Sequence, residues 1–204
     1  MLVQIGFVVE GHGETESVPC LLRRIAQAFD PSLEVVIPRP IRVTKSRLLQ
    51  PGELERKAQM AALNTGNRGG ILVVLDSDDD CPAQLGPQLL RRVRSARCDL
   101  PSAVVLAQKE FESWFIAAAE SLRGKRGLPT DLESPEQPEQ IAGAKEWLTK
   151  RIAHGRVYAP TVDQASLTSA LDLKLARRAA SFDKCYRDVI RLLEELRSLI
   201  FPRS

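Results

Sequence analysis

Four apolar, β-branched runs, each followed by a stretch with helical spacing, restrict the folds open to this 204-residue chain. The runs are LVQIGFVV (2–9), LEVVIP (33–38), ILVVL (71–75) and SAVVLAQ (102–108). None alternates polar with apolar at period two, so each reads as a strand covered on both faces. Val18, Leu21, Leu22, Ile25, Ala26 and Phe29 recur at helical period within 14–29, and similar patterns occupy 51–63, 83–97 and 110–122. Repeated βα units joined by right-handed crossovers predict an α/β domain over 1–122. Its core is a parallel, Rossmann-like four-stranded sheet flanked by helices. Residues 39–50 read as a basic loop. Pro129, Pro135 and Pro138 mark 123–140 as a loop or lid. Helical patterns over 141–154, 166–180 and 181–199 make 141–204 a C-terminal helical extension packed on the same domain.

The ends of these strands are acidic. Glu10 follows the first, Asp76, Asp78, Asp79 and Asp80 the third, and Glu110 and Glu112 the fourth. Ligands of open parallel sheets gather at that edge, because loops and helix N-termini converge there. Crowded carboxylates resist joint ionisation, and a bound cation removes the cost. Many hard oxygen donors without imidazole or thiolate suit Mg2+ or Mn2+, ions that also take phosphate oxygens.

Totals exclude several other classes. Lys plus Arg outnumber Asp plus Glu by 29 to 26, so the net charge of +3 gives no strong long-range pull toward nucleic acid, and any basic surface is local. Cys20, Cys81, Cys98 and Cys185 lie far apart with no CxxC pair, which argues against zinc and for a reduced interior. No apolar run approaches the roughly 18 residues that span a bilayer, and the start lacks the pattern of a signal peptide. A cytoplasmic protein is expected.

Spacing also disposes of nearby motifs. VVEGHGETE (8–16) has Glu16 where a dinucleotide-binding GxGxxG needs its third glycine, and it lacks the Lys-Ser/Thr of a P-loop. An EF-hand from Asp76 would need glycine at Cys81 and glutamate at Pro87. A haloacid-dehalogenase-type phosphatase using Asp76 as nucleophile is the nearer rival. Its motif normally sits on the first strand and continues with Thr or Val where this chain has Asp80.

Taken together, VEGHGETE, VLDSDDD, KEFESWFIA and SFDKCYRDV, in that order, resemble the Toprim-like family catalogued as domain of unknown function 4276. That family is related to the Toprim domains of topoisomerases, primases and overcoming-lysogenization-defect nucleases. The resemblance implies a general acid or base at Glu10 and divalent metal held by Asp76 and Asp78, hence a Mg2+- or Mn2+-dependent nuclease acting on DNA or RNA. It also implies a role as effector in an anti-phage system, often beside an ATPase. The partners implied are nucleic acid, an ATPase encoded nearby and a second copy of the chain, with no membrane. A latent or non-catalytic partner of that ATPase is the alternative.

Individual residues follow from these readings. Gly11 and Gly13 let the backbone turn sharply and approach a phosphate or metal. Glu14 joins Glu10, Asp76, Asp78, Glu110 and Glu112 as a metal-ligand candidate, although acids in a first helical turn are favoured by the dipole in any case. Glu110 and Glu112 would point about 200° apart on a helix, so only one can be a direct ligand, and the turn position favours Glu110. Lys45, with Arg39, Arg42 and Arg47, could meet a nucleic-acid backbone. Lys109 could stabilise phosphoryl charge, whereas Trp114 and Phe115 read as core.

Overall fold

The computed structural model describes residues 2–200, without the side chains of His154 and Ile200. The chain runs β1 (Leu2–Val9), α1 (Glu14–Phe29), β2 (Glu34–Val36), β3 (Ile41–Arg42), α2 (Lys45–Leu48), α3 (Glu53–Asn64), β4 (Gly70–Asp76), α4 (Pro82–Ala96), β5 (Ser102–Ala107) and α5 (Ser113–Ala117). It continues through α6 (Ala144–Thr149), α7 (Ala165–Ala170), α8 (Leu173–Ala176) and the long α9 (Ala180–Ile200). Every strand pair is parallel and the order is β2-β1-β4-β5, with β3 also on β1. Five segments thus fill four positions. β2 pairs with the start of β1 and β3 with its end, and Pro38 and Pro40 interrupt what the sequence suggests is one strand.

Burial on both faces explains why the strands are apolar throughout. Ile5, Phe7, Val9, Leu72, Val74, Val105 and Ala107 enter a core shared with α1, α5 and α9, while Val8, Ile71, Val73, Leu75, Val104 and Leu106 pack with α3 and α4. The larger core also takes Leu148 of α6, Leu167 of α7 and Leu192 of α9, so the helical extension and the sheet share one interior. Leu128 and Leu132 are buried in that core, which pins the 123–140 segment at two points. Among the described residues no helix is long and apolar enough to cross a membrane.

The β1–α3 contact is so close that only glycine fits at position 6. A Cβ there would stand 2.2 Å from the Ala61 carbonyl oxygen. Because the obstacle is backbone, Gly6→Ala is expected to lower stability by about 2–3 kcal/mol. Urea unfolding measures this, and an unchanged midpoint would mean α3 gives way freely.

Several helices differ from their sequence patterns. The 110–122 pattern becomes a turn, the short α5 and a 3-10 turn at Ala119–Leu122, and the Phe111 amide ahead of α5 is taken by Asp76. Gly143, at φ 67°, starts α6 two residues inside the 141–154 pattern. The 166–180 pattern breaks at Asp172, whose side chain accepts from the Lys174 and Leu175 amides and so starts α8 afresh. Residues 39–50 hold β3 and α2 rather than loop throughout.

Chain order reverses at β1, with β2 to one side and β4 to the other. The carboxyl ends of β1 and β4 therefore bound the crevice where open α/β sheets bind ligands. Val9 pairs with Val74, so Glu10 and Asp76 leave adjacent strands at that crevice.

Candidate active site

Four carboxylates approach the crevice, and each commits one oxygen to the protein. Glu10 Oε1 accepts the Lys45 amide at 2.9 Å. Glu14 Oε2 accepts the amides of Glu10 and Gly11, both at 3.0 Å. Asp76 Oδ1 accepts the Phe111 amide at 2.7 Å. Glu112 Oε1 accepts from the Tyr158 hydroxyl at 2.9 Å and from Gln164 Nε2 at 3.2 Å. The second oxygens differ. Glu10 Oε2 and Glu112 Oε2 are buried without a hydrogen bond, a costly state for a carboxylate, which the Lys145 ammonium, 3.5 Å from Glu112 Oε2, offsets in part at Glu112.

Burial reinforces this. It pushes Glu14, which is 5% exposed, up from the ordinary 4.5 to about 7. The Gly11 and Glu10 amides oppose the rise, and the carboxylates of Glu112 and Glu10 add to it. Asp76 is raised well above its ordinary range by burial and then by Glu14 and Glu112, with Lys145 opposing. Glu112, fully buried, is raised by burial against the pull of Lys145 and Tyr158. These mutual effects tie Glu14, Asp76 and Glu112 into one electrostatic group.

The remaining predicted acids hold lysine ammonium groups at closer range, below 3 Å. Asp78 sits at φ 49° in the turn after β4, and its Oδ2 is 2.5 Å from Lys45 Nζ. Glu110 uses Oε2 for the Ala144 and Lys145 amides at 2.7 and 3.3 Å, and Oε1 for Lys145 Nζ at 2.8 Å. The preference for Glu110 over Glu112 thus reverses. Both lie in a turn rather than on a helix, and of the two only Glu112 keeps an oxygen without a hydrogen bond, Oε2, with the Lys145 ammonium 3.5 Å away. Lys45 is 7% exposed and locked to the Ser77 carbonyl, Asp78 and Asp80 at 2.7, 2.5 and 3.2 Å, so it braces two loops. Its neighbours Arg39, Arg42 and Arg47 stay exposed. Lys109 donates to the Gln140 carbonyl at 3.4 Å, and Trp114 and Phe115 are fully buried.

The glycines serve Glu14 and Gln164. A Cβ on Gly11 would lie 3.2 Å from Glu14 Oε1, and one on Gly13 would lie 2.3 Å from Gln164 Oε1 and 2.7 Å from the Pro160 carbonyl. Gly13 has a helical φ of −64°, so it is there for space rather than for turning.

Among the described residues no three His, Cys, Asp or Glu side chains already stand as the ligand set of a metal ion. The chemistry of Glu10, Glu14, Asp76 and Glu112 nonetheless fits a hard cation: oxygen donors only, two of them without a hydrogen bond, with charge that burial opposes.

The family described as a domain of unknown function, DUF4276, matches residues 9–189. The chain belongs to this family. No curated protein and no solved structure matches it. In this DUF4276 chain the match runs from the last residue of β1 into α9, so it takes in every carboxylate of the crevice. Three residues of the DUF4276 site carry no signal in the sequence: Lys145, Tyr158 and Gln164. Each comes from the helical extension and reaches the crevice only through tertiary packing.

Proposed function

We propose that this chain is a Toprim-like, divalent-metal-dependent phosphodiesterase acting on DNA or RNA. The observation that carries the reading is the set of four carboxylates at the β1–β4 crevice, each anchored through one oxygen and two with the other oxygen buried and without a hydrogen bond. Asp76 and Glu112, with Glu14 behind them, would hold Mg2+ or Mn2+ beside Glu10. Such an ion, when bound, supplies Lewis acidity toward phosphate oxygens.

The chain's own groups supply the rest. The Lys45 amide fixes Glu10 so that Oε2 can accept or return a proton beside the substrate. Tyr158 and Gln164 fix Glu112 in the manner of outer-sphere partners. Exposed Arg39, Arg42 and Arg47 offer phosphate-backbone contacts on the β3–α2 side of the crevice. The phosphatase alternative needs Asp78 free as an acid, whereas Lys45 engages it. A role in anti-phage defence beside an ATPase remains part of this proposal on family resemblance alone.

The test is cleavage of DNA and RNA with and without Mg2+ or Mn2+, comparing the wild-type chain with Glu10→Gln and Asp76→Asn, folding being checked by circular dichroism. Ion-dependent cleavage lost in both variants is expected. Equal cleavage by wild type and variants would overturn the assignment, and ion binding without cleavage would favour the latent, ATPase-partnered form.

A further inference from the structure

Lys145 enters the crevice from α6 and is the cation of its carboxylate group. Its Nζ lies 2.8 Å from Glu110 Oε1, 3.5 Å from Glu112 Oε2 and 3.9 Å from Asp76 Oδ2. Glu110 fixes the residue twice, through the ammonium and through the Ala144 and Lys145 amides. Fully buried Leu148 anchors the same helix in the main core. The ammonium is therefore placed by the fold rather than resting there from solvent. The other lysine of the crevice, buried Lys45, is held on the other side by Ser77, Asp78 and Asp80, whereas Lys145 is half-buried.

Two-ion phosphodiesterase sites set their ions about 3.5–4 Å apart, with carboxylates shared between them. Asp76 and Glu112 are the carboxylates available for sharing, and the ammonium stands 3.9 and 3.5 Å from their second oxygens, Oδ2 and Oε2, on which a second ion would also have to bind. A second divalent ion on the same oxygens would face a fixed positive charge at close range. Lysine's ammonium is a compact, strongly hydrated positive charge, which suits it to stand in for such an ion.

The geometry points to a crevice that takes one divalent ion, with the Lys145 ammonium filling the position of a second and facing the phosphate. This inference rests on the metal-dependent reading above and fixes its stoichiometry. In place of a second ion's charge, Lys145 offers the phosphate N–H donors in fixed orientation, and Glu110 acts as its positioning residue.

The experiment counts Mn2+ bound to the full chain at saturation, by equilibrium dialysis and by electron paramagnetic resonance of free Mn2+. The wild type and Lys145→Arg, which keeps the charge, are expected to bind one ion. Lys145→Met is expected to bind two, with the paired-ion spectrum of coupled Mn2+. Two ions in the wild type would overturn the inference while leaving the phosphodiesterase reading intact. One ion in a folded Lys145→Met chain would overturn it equally. Should the wild type bind none, the metal-dependent reading itself fails and takes this one with it.

Discussion

In the absence of divalent ions, stability is expected to fall as pH rises from about 5 to about 7.5, and Glu14→Gln is expected to remove much of that fall. Glu14 titrates at about 7 in the folded chain against an ordinary 4.5. Between those values the folded state holds a proton that the unfolded state has released. Stability therefore declines with pH across this window and is flat, for this group, below it. The difference corresponds to about 3 kcal/mol at most, or roughly 6–12 °C in Tm for a chain of this size. Asp76 and Glu112, both raised, act in the same direction. Glutamine can still accept the Glu10 and Gly11 amides but carries no charge, so Glu14→Gln should be several degrees more stable than wild type at pH 8 and nearly equal at pH 5. Saturating Mn2+ should flatten the wild-type profile, since ion binding stabilises the ionised carboxylates. Calorimetric melting across this pH range decides the matter. A rise of Tm through the window without ions would show that the carboxylates are not burdened by their burial.

The second large effect separates two glutamates that the sequence cannot. Glu112→Gln should weaken Mn2+ binding roughly a hundredfold or more. Its anchored position keeps the acceptor for Tyr158, while an amide N–H2 replaces the second oxygen, free of hydrogen bonds, that an ion needs. Glu110→Gln should change ion affinity by less than about tenfold, because both of its oxygens already serve α6 and Lys145. Isothermal titration with Mn2+ measures the two. The opposite order would return Glu110 to the ligand set and place Glu112 as structural support.

The contrast shows where sequence reading succeeds and where it stops. The strands and α1 were legible because their cause is local: uninterrupted apolar runs for strands buried on both faces, and a 3.6-residue period for an amphipathic helix. Glu10 and Asp76 were legible for a related reason, since parallel topology dictates that strand ends meet at one edge. The partition of Asp76 from Asp78 and of Glu112 from Glu110 was not. It depends on two lysines that arrive from α2 and α6, and nothing in the spacing of either motif announces them. The helix expected over 110–122 is divided into a turn, α5 and a 3-10 turn, a division that its apolar period does not announce. Gly13 was expected for turning and is needed for clearance against Gln164, a contact between segments 151 residues apart in the chain.

The divided strand beside β1 has a bearing on how copies of this protein could associate. β2 is three residues long and β3 two, and the two prolines between them carry no amide hydrogen to offer. A foreign strand approaching that margin would meet no continuous ladder of donors, so zippering from sheet to sheet is blocked on this side. Oligomers that join through this flank would have to do so by side-chain complementarity.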